Sequence, residues 1–100
     1  LPDLAVADVD LSCEIMGKRL RAPLLIAAMT GGTEEAGRVN RELAALAEER
    51  GLAFGLGSQR AMHKRSEAGA SYRVRDVAPT TLVLGNLGVV QARDMATGEI

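Results

Sequence analysis

Apolar and polar positions divide the chain into blocks that alternate between two kinds of period. Residues 24–29, 52–56 and 80–85 are continuous apolar runs. A parallel strand covered on both faces reads this way, whereas a strand with one wet face alternates. None of the runs is long enough to span a bilayer. Between the first two lies a segment, residues 33–50, in which Ala36, Val39, Leu43, Leu46 and Ala47 share one helical face. Glu34 and Glu35 in its first turn and Arg50 in its last agree with the helix dipole, and Gly51 is placed to cap its end. Glu34 and Arg38 are four apart and can pair on the exposed side. Residues 66–78 are expected to form a second helix, capped by Ser66 and patterned by Ala70, Val74, Val77 and Ala78. Residues 72–77 also alternate as a strand would, and Gly69 weakens a helix by about 1 kcal/mol. Pro79 ends the segment. Residues 89–95 can open a third helix.

Ahead of these blocks, residues 1–10 alternate loosely and carry no helix cap. Residues 11–15 and 18–21 are strand candidates around Met16-Gly17, where Gly17 supplies the positive φ of a tight hairpin. Cys13 and Ile15 alternate with Ser12 and Glu14, the period of a half-buried strand. After the hairpin, the order strand, helix, strand, helix, strand, helix start repeats at roughly 30 residues, the size of a βαβ crossover. The fold class is therefore α/β with a parallel sheet. Such units can begin a doubly wound sheet or a (β/α)8 TIM barrel, and a full barrel takes about 250 residues. On the barrel reading the 100 residues form part of one domain, with a hairpin at 11–21 and barrel units over 23–100. The chain starts at Leu1 and stops without a cap after residues 92–100, so it is expected to be a piece of a longer protein.

Composition narrows the picture. Hydrophobic residues make up 47%, charged residues 25%, and the net charge is −1. That is a globular balance with no basic surplus for nucleic acid. One Tyr and one Phe argue against base stacking and leave the core to aliphatic side chains. Cys13 is the only cysteine, which rules out an internal disulfide and fits a reducing, cytoplasmic setting. No membrane segment is visible.

Each apolar run ends in a polar, glycine-rich corner: Ala28-Met29-Thr30-Gly31-Gly32, Gly57-Ser58-Gln59-Arg60 and Gly85-Asn86-Leu87-Gly88. In α/β folds ligands sit at the carboxyl ends of parallel strands. The glycines are expected to let a ligand approach the backbone. Thr30, Ser58, Gln59, Asn86 and Arg60 make a donor-rich rim that suits a planar heteroaromatic ring and an anion. The rim holds no carboxylate pair, no His-Cys cluster and no Ser/His/Asp set, so a cofactor is expected to carry the chemistry. Structural readings stand beside these. Gly31-Gly32 can be a plain strand-to-helix turn, Ser58 a cap or turn residue, and Asn86 a turn residue. Arg60 can belong to an exposed basic turn with His63, Lys64 and Arg65, or it can clamp phosphate oxygens with its planar fork. His63 has no second ligand at metal spacing. Cys13 reads as a small buried hydrophobe. Met29 and Met62 read as core or gap filler, although Met29 lies where a ring could rest.

The segments Met16-Gly-Lys-Arg-Leu-Arg-Ala-Pro23, Ala28-Met-Thr-Gly-Gly32, Gly57-Ser-Gln-Arg60, Arg73-Val-Arg-Asp-Val-Ala-Pro79 and Gly85-Asn-Leu-Gly88, in this order, resemble the type 2 isopentenyl-diphosphate delta-isomerases. The resemblance covers nearly the whole chain. It implies an FMN-dependent (β/α)8 barrel of which this chain is about the first third. It also implies interconversion of isopentenyl diphosphate and dimethylallyl diphosphate with reduced FMN, Mg2+ on the diphosphate and NADPH as reductant. By position it assigns Ala28, Met29, Thr30, Ser58 and Asn86 to FMN, and Ser58, Gln59 and Arg60 to substrate. It implies a homo-oligomer without nucleic-acid or membrane partners. The family's amino-terminal Arg-Lys pair, its later Gln-Glu pair, its flavin-binding lysine and its glycine-rich phosphate site have no counterpart in residues 1–100. Catalytic and metal residues are thus expected elsewhere, and this segment alone is expected to bind FMN poorly and to be inactive. Two other readings remain open: another FMN-dependent barrel acting as an oxidoreductase, and a non-catalytic α/β module whose corners are only turns.

Overall fold

The computed structural model describes residues 3–95. Strands β1 (Cys13–Ile15) and β2 (Lys18–Leu20) pair antiparallel, with Cys13 opposite Leu20 and Ile15 opposite Lys18. Met16 and Gly17 both take positive φ, 51° and 76°. Positive φ at both central positions is the turn that matches the twist of a two-residue hairpin. The hairpin is thus where the sequence places it, although its strands are shorter. Its expected burial differs. Leu20 is fully buried, Cys13 is half-buried, and Ile15 stays exposed. The hairpin is anchored through Leu20 and through the Arg21 amide, which donates to the Gly51 carbonyl at 2.8 Å. Ahead of it, a short 3₁₀ turn at Val6–Asp8 interrupts the expected alternation.

Three parallel strands follow in the spatial order β3 (Leu25–Ile26), β4 (Ala53–Gly55), β5 (Val83–Leu84). Leu25 pairs with Ala53 and Ile26 with Phe54; Phe54 then pairs with Val83 and Gly55 with Leu84. The α/β class is the expected one. The sheet is open within the described residues, and this corrects the expected burial of the first run. The central strand β4 is buried at all its residues, whereas β3 is an edge strand with Leu25 49% exposed. One neighbour and one covered face are not enough to shield it.

Helix α1 (Glu34–Arg50) is the crossover from β3 to β4. The Thr33 hydroxyl accepts from the Ala36 amide at 3.0 Å, and Gly51 closes the helix with φ 68° and ψ 37°. The cap is left-handed, where glycine carries no Cβ penalty. The buried face is rotated from the expected one. Ala36, Gly37, Asn40, Ala44 and Ala47 are buried and Leu43 packs partly buried against the core, while Val39 and Leu46 are 36% and 41% exposed. Small residues face inward because the helix packs close. A Cβ on Gly37 would come within 3.0 Å of the Ser71 backbone. Behind the helix, Ala44, Ala47, Phe54, Leu56, Tyr72, Val74 and Ala78 form one core cluster.

The β4-to-β5 crossover departs most from expectation. A short helix α2 (Arg60–Lys64) comes first, then a 3₁₀ helix over Ser66–Tyr72, then a turn, in place of one helix over 66–78. The Ser71 carbonyl accepts from the Asn40 side chain at 2.9 Å, and the Arg73 carbonyl from Arg41 at 3.3 Å. Continuing a helix would need those carbonyls for its own amides four residues on. Side chains of α1 divert them, and the Arg75 guanidinium closes the turn on the Ala78 and Thr81 carbonyls, both at 2.8 Å. The third helix, α3, spans Val89–Asp94. Residues 1–2 and 96–100, which end the expected segment, lie outside the described residues. Among the described residues, no helix is long and apolar enough to cross a membrane.

Candidate functional site

Because the strands are parallel and adjacent, their carboxyl ends bring the three corners together. The Gly57 amide donates to the Thr30 carbonyl at 3.2 Å, joining the first corner to the second. The Gln59 amide donates to the Asn86 carbonyl at 2.8 Å, joining the second to the third. These bonds continue the sheet ladder past its last paired residues.

The glycines do a different job from the expected one. A Cβ on Gly31 would lie 2.1 Å from the Tyr72 ring, and a Cβ on Gly57 would lie 2.4 Å from the Thr30 carbonyl oxygen. Gly32 takes φ 97°, with the Ala61 methyl 2.7 Å from its Cβ position. The space where a side chain would sit at Gly31, Gly32 and Gly57 is filled by the protein itself, so these glycines serve close packing of the corners. What faces outward is the rim of side chains. Ala28, Met29, Ser58 and Arg60 are exposed, and Thr30, Gln59 and Asn86 are half-buried. Met29 is 65% exposed on this rim and fills no gap among the described residues. The Gln59 amide oxygen lies over Gly85, 3.2 Å from where its Cβ would be.

Ser58 keeps part of its structural reading, since its hydroxyl accepts from the Arg60 amide at 3.4 Å. Arg60 opens α2. Among the described residues its guanidinium has no hydrogen-bond or ion-pair partner, whereas Arg65 is held on the Gly32 carbonyl, Arg41 on Asp76, and Arg75 on two carbonyls. The rim therefore combines neutral hydrogen-bonding groups, a thioether surface and one uncommitted cation. Among the described residues no three His, Cys, Asp or Glu side chains are assembled to hold a metal. A separate groove of about 700 Å³, lined by Arg41, Tyr72, Val74, Asp76 and Val83, includes no corner residue.

Sequence reasoning missed the groups that hold the corners in place. Asn40, buried in the middle of α1, donates to the Thr30 carbonyl at 3.2 Å as well as to Ser71. The Ser71 hydroxyl accepts from the Gly32 amide at 2.7 Å and donates to the Ala68 carbonyl at 2.6 Å. The Tyr72 hydroxyl donates to the Ser58 carbonyl at 2.7 Å. Burial pushes the Tyr72 hydroxyl above its ordinary pKa, against a smaller opposing effect of Arg65, so it stays a donor. One signal was available. Asn40 lies four residues from both Ala36 and Ala44, a polar side chain within the small-residue stripe of the helix.

No family model matches the chain. Individual proteins do. An isopentenyl-diphosphate delta-isomerase of Nostoc is 47% identical over 91 residues, which is 91% of this chain and 26% of that protein. One of Pyrococcus horikoshii is 48% identical over 94 residues, covering 91% of this chain and 25% of that protein. One of Mycolicibacterium vanbaalenii is 53% identical over 85 residues, covering 85% of this chain and 25% of that protein. A 91-residue match within 100 residues necessarily includes residues 10–91, and so all three corners. The chain spans about a quarter of the length of the curated relatives it matches, and over that quarter it is similar to proteins named isopentenyl-diphosphate delta-isomerase.

Proposed function

We propose that this chain supplies the first three strand-end corners of the ligand site of a type 2 isopentenyl-diphosphate delta-isomerase. The protein then interconverts isopentenyl and dimethylallyl diphosphate in the cytoplasm, as a homo-oligomer. Its three parallel units are the opening units of a (β/α)8 barrel. The observation that carries the reading is the near half identity, over a stretch that spans all three corners, to relatives bearing that isomerase name. The geometry supports it through Arg60, an uncommitted guanidinium beside a neutral hydrogen-bonding rim, which suits an anionic ligand.

The rim also fits FMN. Asn86 offers an amide to a ring edge, Thr30 offers a hydroxyl, and Ala28 with exposed Met29 offers an apolar surface. Ala28, Met29, Thr30, Ser58 and Asn86 are assigned to hold it. Bound at that rim, FMN kept reduced by NADPH would supply the proton-transfer chemistry at the substrate double bond. The residues of this chain bind and orient: Arg60 grips the diphosphate, Ser58 and Gln59 position its substrate end, and the corner backbone, already paired internally, keeps the rim fixed. Among the described residues no three His, Cys, Asp or Glu side chains gather to hold magnesium, and its ligands are assigned to the rest of the protein.

The full-length protein, purified with FMN, NADPH and magnesium, is expected to show flavin absorbance and to convert isopentenyl diphosphate to dimethylallyl diphosphate by proton NMR. Absence of both bound flavin and isomerisation contradicts the reading.

A further inference from the structure

We propose that Asn40, Ser71 and Tyr72 are positioning residues: they form a latch that sets the spacing of the first two strand-end corners. The inference rests on the reading of those corners as a ligand site. None of the three belongs to the rim. Asn40 lies on α1, while Ser71 and Tyr72 end the 3₁₀ helix of the next crossover, yet their bonds converge on the corners. Asn40 takes the Thr30 carbonyl, Ser71 the Gly32 amide and Tyr72 the Ser58 carbonyl. Asn40 also holds the Ser71 carbonyl, so the three groups act as one unit.

The fit is steric as well as polar. The Tyr72 ring occupies the notch that Gly31 leaves, with its Cε1, Cζ and hydroxyl all within 2.6 Å of the absent Cβ. The first corner is therefore shaped around the ring, and the ring's hydroxyl fixes the second. All three residues are buried, and none is ionised in its ordinary state. A partly buried hydrogen bond whose acceptor has no substitute donor is costly to lose. Ser58 carries the acceptor and Arg60 lies two residues on, so releasing the Ser58 carbonyl frees the segment that orients the diphosphate.

The test uses Tyr72→Phe in the full-length protein. Phenylalanine keeps the ring in the Gly31 notch and deletes only the donor. Amide hydrogen exchange at Gly57 and Gln59 is expected to speed up about tenfold, with α1 and β4 unchanged. Substrate KM is expected to rise about tenfold, with FMN retained and kcat little changed. Gly31→Ala expels the ring and breaks the same bond. Its effect on these two amides is therefore expected to be no larger when combined with Tyr72→Phe. Unchanged exchange at Gly57 and Gln59, a uniform rise across the sheet and α1, or additive effects of the two substitutions would overturn the latch. An unchanged KM in an active enzyme would overturn its positioning role. If the wild-type protein neither binds flavin nor isomerises substrate, the ligand-site reading fails, and the exchange data still decide the latch.

Discussion

At the amino-terminal end of the parallel sheet, the Glu48 carboxylate gathers the Thr80 hydroxyl and the Thr80 and Thr81 amides. Thr81, buried, passes its own hydroxyl to the Leu52 carbonyl, so the end of α1, the start of β4 and the approach to β5 are joined. At the carboxyl-terminal end, the neutral Asn40, Ser71 and Tyr72 join the first two corners. One end is gathered by a carboxylate; at the other the three latch side chains are neutral, and among the described residues the only charged group bonded to a corner is the Arg65 guanidinium, on the Gly32 carbonyl. The difference bears on what each end can do. A carboxylate attracts donors strongly but titrates and is screened. Neutral groups neither titrate near neutrality nor compete for a cation. At the carboxyl end, Arg60 meets no Asp or Glu in any of the three corners, and its charge stays available for an anion.

Substitutions should break the two ends to different degrees. The largest effect is expected for Gly57→Ala, because the new methyl would sit 2.4 Å from the Thr30 carbonyl oxygen, a backbone atom that cannot rotate away. Loss of about 3 kcal/mol is expected in denaturant unfolding of the full-length protein. A loss under 1 kcal/mol would show that the first two corners are not locked.

Asn40→Ala should come next. It leaves the Thr30 and Ser71 carbonyls without their side-chain donor in a buried setting, at a cost of about 2 kcal/mol. The cost should be the same at pH 4 and pH 7, since nothing in the latch titrates there.

Glu48→Gln should cost least, about 1 kcal/mol at neutral pH, because the amide retains a neutral hydrogen bond. Its signature is pH dependence. The Thr80 hydroxyl first, then the Thr81 and Thr80 amides and Arg75, hold the Glu48 carboxyl below its ordinary range against partial burial. A carboxyl depressed on folding stabilises the fold above its unfolded pKa, about 4.3, and that stability is lost as pH falls through the lower folded value. The wild-type protein should therefore lose stability on acidification in that window, and the Glu48→Gln protein should lose less. Parallel acid limbs would remove Glu48 from the account.

The parts of this architecture that depend on local pattern were legible in the chain. The Met16-Gly17 turn, α1 with its Gly51 cap, and the three strand-end corners all announce themselves by spacing or by a required backbone conformation. The parts set by long-range bonds were not. Residues 66–78 carry helical spacing, yet Asn40 and Arg41, some thirty residues earlier, take the carbonyls that a helix would use. The inward face of α1 likewise depends on how closely it approaches Ser71, which periodicity cannot register. The corner glycines were read for their openness, but Tyr72 and Thr30 fill the space at Gly31 and Gly57. Arg60, Gln59 and Asn86 were recognisable as candidates because their side chains sit beside strand ends, a placement that needs only the order of the elements.

The affinity of the full-length protein for isopentenyl diphosphate, compared between wild type and Arg60→Ala by isothermal titration with FMN bound, tests the site most directly. Loss of a charge-assisted grip on the diphosphate predicts binding at least tenfold weaker in the variant, with its melting temperature unchanged. Equal affinity in the two proteins would contradict the assignment of these corners to the substrate.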